Sequence, residues 1–111
     1  MLFRSGSDFP IESINPILGF YAAIARKDVN GNPPEGFNIE NALSREEAMK
    51  AMTIWAAKAC FEEDIKGSIE RDKFADFVIL DGDIMEMDIR QVANVKVLQT
   101  YIAGAQVYAC K

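Results

Sequence analysis

The chain contains no histidine, and its 111 residues include only two cysteines, Cys60 and Cys110, set far apart. Histidine supplies most zinc ligands and most general bases that work near neutral pH, so a self-contained hydrolytic site would have to use carboxylates or lysine. The cysteines make no CxxC pair and signal neither a zinc knuckle nor a disulfide framework; buried free thiols are expected. Lysine and arginine form no cluster, and the net charge is −5 with an isoelectric point near 4.7. Phosphate binding needs grouped cations, so no nucleic-acid partner is expected. No apolar run approaches the ~20 residues that cross a bilayer, and Met1-Leu2-Phe3-Arg4 lacks the form of a signal peptide. No membrane partner is expected, and a cytoplasmic location is.

What the chain does contain is material for one core. Half of its residues are apolar, with seven Phe, three Tyr and one Trp, a composition far from that of disordered chains. The acidic block Glu62-Glu63-Asp64 reads as a solvated helix end rather than a cation site.

Residues 2–8 read as a short strand running into a polar loop closed by Pro10, which puts Asp8 just past a strand end. Residues 16–26 predict a largely buried helix with Pro16 at its first position. Residues 28–43, with Gly31, Pro33, Pro34 and Gly36 among four Asn, predict an irregular connection. Ser44-Arg45-Glu46-Glu47 is a capping box. Apolar residues then recur at three- and four-residue spacing, which predicts one helix to about Phe61 with Met52 and Trp55 as core candidates. Gly67 suits a left-handed turn. Residues 75–81 read as a strand covered on both faces, and residues 95–103 and 105–109 as a hairpin about Gly104. Three apolar strands after only two helices do not close a two-layer core, so something else should cover them.

Several short pieces occur in one fixed order: Gly6-Ser7-Asp8 with Pro10, Tyr21-Ala22-Ala23, Arg26-Lys27-Asp28, Ser44-Arg45-Glu46-Glu47-Ala48, Thr53-Ile54, Ala56-Ala57, Phe61-Glu62-Glu63, Gly67-Ser68-Ile69-Glu70 and Lys73-Phe74-Ala75-Asp76-Phe77-Val78. Together they resemble the C-terminal third or less of the amidohydrolase superfamily, in its amidohydrolase family three group. The resemblance implies an α/β fragment of a longer chain. Residues 1–66 would supply the last strand and helices of a (β/α)8 barrel, and residues 67–111 half of a small composite β-sandwich built from both chain ends.

In such enzymes the aspartate after the eighth barrel strand contacts a divalent metal, zinc being the expectation, and accepts a proton from the metal-bound water. Asp8 matches that position. The resemblance thus implies Asp8 as catalytic base and metal ligand in a parent that hydrolyses a non-peptide carbon–nitrogen bond in a small amide-like substrate. The family's other metal ligands lie upstream of this chain, and one carboxylate does not hold a catalytic zinc, which takes about three protein ligands and a water. No cofactor and no catalytic competence are therefore expected of residues 1–111 alone. Relatives show Pro-Gly-Lys where this chain has Arg71-Asp72-Lys73, which leaves the turn type open. Asp76 reads as a turn-stabilising or sheet-edge carboxylate, and Arg26 and Arg71 as surface arginines that could meet a substrate carboxylate. The strands' uncovered faces predict a homo-oligomer with Val78, Leu80, Val97 and Tyr101 near the contact. The rival to the enzyme reading is a non-catalytic domain that acts only in assembly or interaction.

Overall fold

The computed structural model describes residues 5–111. Helix α1 spans Pro16–Ala25, with the Asn15 side chain accepting from the Ile17 N–H at 3.0 Å and Pro16 in the first turn, where its missing N–H costs nothing. It ends at Arg26, which takes a left-handed conformation (φ 54°) and donates its backbone N–H to the Ala22 carbonyl at 3.0 Å. A connection containing one short 3₁₀ turn, Ile39–Asn41, leads to α2 at Arg45–Met52. The capping box forms as the sequence predicts: the Ser44 hydroxyl accepts from the Glu47 N–H at 3.2 Å, and the Glu47 carboxylate accepts from the Ser44 N–H at 2.9 Å.

The single long helix expected from Ser44 to about Phe61 is instead two. Thr53 leaves helical geometry (φ −124°, ψ −99°) between α2 and α3, the latter at Ile54–Ala59. The Thr53 hydroxyl donates to the Met49 carbonyl at 2.7 Å, a side-chain bond that competes with the helical ladder and favours a bend. Met52 and Trp55 are half-buried rather than central.

Strands β1 (Phe77–Leu80), β2 (Val97–Ile102) and β3 (Ala105–Ala109) form one antiparallel sheet in the order β1-β2-β3. Phe77 lies opposite Tyr101, and their rings stack with centroids 4.6 Å apart, an arrangement that adds to their area burial. The β2–β3 hairpin turns through Ala103 and Gly104, both at positive φ (48° and 79°), as a two-residue turn matched to strand twist requires. Asp76 pins that turn by accepting from the Ala103 N–H at 2.7 Å, the role expected of it. A short helix that periodicity did not predict, α4 at Ile89–Val92, lies between β1 and β2 and is capped by Asp88.

The core joins α1, α2 and the connection from β1 to β2: Ile17, Phe20, Tyr21, Ala48, Ile84, Val92 and Val95 form one buried cluster. Arg45, at the start of α2, reinforces it by donating to the Ile84 carbonyl and, at 2.6 Å, to the Met87 carbonyl. The sheet stands largely outside this cluster, and β3 is exposed along its whole length. Both cysteines are free and exposed, against the expectation of burial: Cys60 falls just beyond the end of α3 and Cys110 just beyond β3. No helix of the described residues is long and apolar enough to cross a membrane.

Candidate functional site

The strand expected over residues 2–8 lies partly outside the described residues, and residues 5–7 form no regular element. The loop after them does form. Asp8 opens a turn in which the Ile11 N–H donates to the Asp8 carbonyl at 2.9 Å, and Asp8 itself takes a left-handed φ of 53°. Aspartate tolerates that region better than most residues because it is short and polar. The turn is tied on both sides. Before it, the Ser5 N–H donates to the Ala51 carbonyl at 3.1 Å, in the last turn of α2. After it, the Ser13 hydroxyl accepts from the Asn15 N–H at 3.2 Å, and Asn15 caps α1, whose Ile17, Phe20 and Tyr21 are buried. Asp8 is thus an exposed carboxylate on a loop anchored to two core helices.

Among the described residues no group of three or more His, Cys, Asp or Glu is placed to hold a metal ion. The residues present therefore do not by themselves fit a catalytic zinc, which takes about three protein ligands. Arg26 is committed elsewhere: its Nε donates to the Phe37 carbonyl at 2.9 Å and its guanidinium lies over the Phe37 ring at 5.9 Å, so it holds the 26–37 loop closed. Arg71 is exposed on the turn before β1. That turn has a left-handed third residue, Asp72 at φ 69°, a conformation that a short polar side chain tolerates better than most.

An open apolar groove of about 850 Å³ lies between α2–α3 and the sheet, walled by Met49, Met52, Phe77, Leu80, Ile84 and Tyr101. Asp8 does not line it. Sequence patterning predicted uncovered strand faces but not this groove, whose lining includes Thr53, the residue between α2 and α3. Gly67 lies against Ala57 and Ile54 of α3.

The sequence profile of the amidohydrolase family matches residues 2–108. The chain belongs to the amidohydrolase family. It is similar to amidohydrolase YtcJ of Bacillus subtilis, 33% identical over 97% of this chain and 20% of that protein. It is likewise similar to N-substituted formamide deformylase of Arthrobacter pascens, 31% identical over 92% of this chain and 18% of that protein. Protein LONG AFTER FAR-RED 3 of Arabidopsis thaliana is 34% identical over 96% of this chain and 18% of its own length. The chain therefore spans about a fifth of the length of these family relatives. In fold it follows a crystal structure of an amidohydrolase from Thermotoga maritima, with a TM-score of 0.70 over 99% of this chain and 24% of that one, at 23% identity.

Proposed function

We propose that this chain is the C-terminal part of a metal-dependent amidohydrolase that hydrolyses a non-peptide carbon–nitrogen bond of a small amide-like substrate, with Asp8 as the proton acceptor. The observation that carries the reading is the doubly anchored turn that presents Asp8 to solvent within a chain matched to the amidohydrolase family from residue 2 to residue 108. Membership of the family and similarity to a formamide deformylase support hydrolysis of an amide-type bond. A carboxylate at the C-terminal mouth of a barrel strand is well placed to take a proton from water within hydrogen-bond reach.

Asp8 supplies one carboxylate, so the remaining ligands of a divalent metal come from the other four-fifths of the family's length. When bound, such a metal lowers the pKa of a water. What this chain itself does is hold the Asp8 carboxylate in place: the Ser5–Ala51 bond and the Asn15 cap fix the loop, and the short Asp side chain adds little freedom of its own. The same reading takes residues 1–66 as the end of a (β/α)8 barrel and residues 67–111 as half of a composite sandwich, with the groove and the free sheet edges facing the rest of the protein.

The test is Asp8→Asn in the full-length protein. Loss of a general base lowers kcat by about a hundredfold or more, with the thermal midpoint unchanged. Near-normal turnover in the mutant would remove Asp8 from the chemistry.

A further inference from the structure

We propose that Asn30-Gly31 is a latent deamidation site and that Asp28 keeps it closed in the folded protein. Asn30-Gly31 is the one Asn-Gly pair in the chain. Asn30 is exposed, Gly31 has open space where a Cβ would lie, and its φ of +86° is one that glycine adopts without strain. No side chain on residue 31 therefore hinders the reaction that such a pair undergoes in water. The Gly31 backbone nitrogen gives up its proton and bonds to the Asn30 Cγ, the Cγ–Nδ2 bond breaks, and ammonia leaves. Water then opens the resulting imide at one of its carbonyls and restores the Gly31 N–H. Residue 30 ends as aspartate or, with the backbone running through its side-chain carbons, as isoaspartate.

The hydrogen bonds of the loop oppose the first of these steps. The Gly31 N–H donates to the Asp28 carbonyl at 3.0 Å, so the proton that has to leave is the one held in that bond. The Asp28 carboxylate accepts from the Asn30 N–H at 2.8 Å and from the Asn32 N–H at 2.9 Å, on either side of Gly31. Those bonds, the one from Asn32 above all, hold the Asp28 carboxyl below its ordinary range. It is therefore ionised at neutral pH, and the amide anion would form beside a like charge. The Asp28 N–H donates in turn to the Asn32 carbonyl at 2.8 Å, which closes residues 28–32 into one bonded turn. The carbonyl that receives Gly31 also receives the hydroxyl of Tyr21 at 3.1 Å, and Tyr21 belongs to the buried core cluster. An isoaspartate lengthens the backbone of that turn by one carbon, so its formation would also work against the tie between the loop and α1. Every one of these bonds lies within residues 21–32, so the protection belongs to this loop whatever the rest of a longer chain covers.

The experiment incubates the full-length protein at neutral pH and follows conversion of Asn30 by mass spectrometry of the tryptic peptide 28–45, with fragmentation to place the change at residue 30. The same protein unfolded in urea gives the unprotected rate, and the folded parent should convert at least about tenfold more slowly. Asp28→Ala removes the acceptor from both N–H groups and should raise the folded rate about tenfold or more, the factor that losing one hydrogen bond to a charged group takes off a barrier. Asp28→Asn keeps an acceptor without the charge and should raise it by a smaller factor, which also provides the comparison should Asp28→Ala fail to fold. Gly67→Ala, which lies outside the loop, should stay within about twofold of the parent, because a fold with several kcal/mol in hand seldom opens globally. A folded parent that converts as fast as the unfolded protein overturns the inference, as does a rate unchanged by Asp28→Ala and Asp28→Asn or raised as much by Gly67→Ala. The readout is a chemical conversion and not turnover, so it stands apart from the Asp8→Asn test.

Discussion

Gly67→Ala should be among the most damaging single-methyl additions in this chain, because two separate costs fall on one position. Gly67 has φ +93°, and a residue with a Cβ held in the left-handed half of the map loses about 1–2 kcal/mol. The added methyl would also lie 2.7 Å from the Ala57 Cβ and 3.0 Å from the Ile54 Cα. Ala57 is only 4% exposed, and a backbone Cα has no rotamer with which to retreat. Overpacking of that kind costs about 1–3 kcal/mol. The sum is about 2–5 kcal/mol, which for a domain near this size shifts the thermal midpoint by roughly 10 °C or more. Urea unfolding at one fixed protein concentration measures it. Adding Ala57→Gly isolates one part of the overpacking, since it removes the 2.7 Å contact and leaves the approach to the Ile54 Cα and the backbone angle as they were. The double mutant should therefore recover part of the loss that Gly67→Ala alone incurs, with a coupling of about 0.5–2 kcal/mol. A Gly67→Ala protein within about 0.5 kcal/mol of the parent sequence would refute the close approach of this turn to α3.

Three further outcomes are expected. Arg45→Ala removes two bonds from a charged donor to part-buried carbonyls, Ile84 and Met87, and should lower the free energy of unfolding by about 2–4 kcal/mol; a loss under 0.5 kcal/mol would deny Arg45 its role in tying α2 to the connection before β2. Stability should fall with acid. Arg90 bonding to Asp88, the Asn32 N–H on Asp28, the Ser44 N–H on Glu47, and Lys73 bonding to Glu70 each hold a carboxyl group below its ordinary value. A depressed folded-state pKa contributes stability that is complete above the unfolded value of about 4 and is lost as pH falls through the folded one, so the urea midpoint should decline steadily from about pH 5 to pH 2, and a flat profile would contradict the depressed values. Residues 1–111 expressed alone leave the groove uncovered and, among the described residues, the outer edges of β1 and β3 without a partner strand, so sedimentation equilibrium should show self-association at micromolar concentration, and a stable monomer there would show that the exposed strands tolerate solvent.

The parts of this protein written in neighbouring residues were legible without coordinates. Asn15-Pro16 starts a helix, Ser44 and Glu47 cap the next one, Gly67 takes a left-handed angle, and Gly104 sits in a tight hairpin turn, each because the signal and its consequence lie within four residues of one another. The fixed order of short motifs likewise carried the family, since order along a chain survives where single matches are weak. Tertiary structure decided everything that depends on what arrives from far along the chain. The periodicity from Ser44 onward is that of one helix, and it breaks at Thr53, after which α3 lies against Gly67. Ile89–Val92 is too short to show a period, yet Val92 is fully buried because α1 covers it. Cys60 and Cys110 have the composition of buried thiols and lie exposed, since burial belongs to the neighbours a residue finds and not to the residue. Asp8 shows both sides at once: its identity and its place in the motif are sequence, whereas its anchoring between the end of α2 and the start of α1 exists only in the folded chain, where residues 5 and 51 meet.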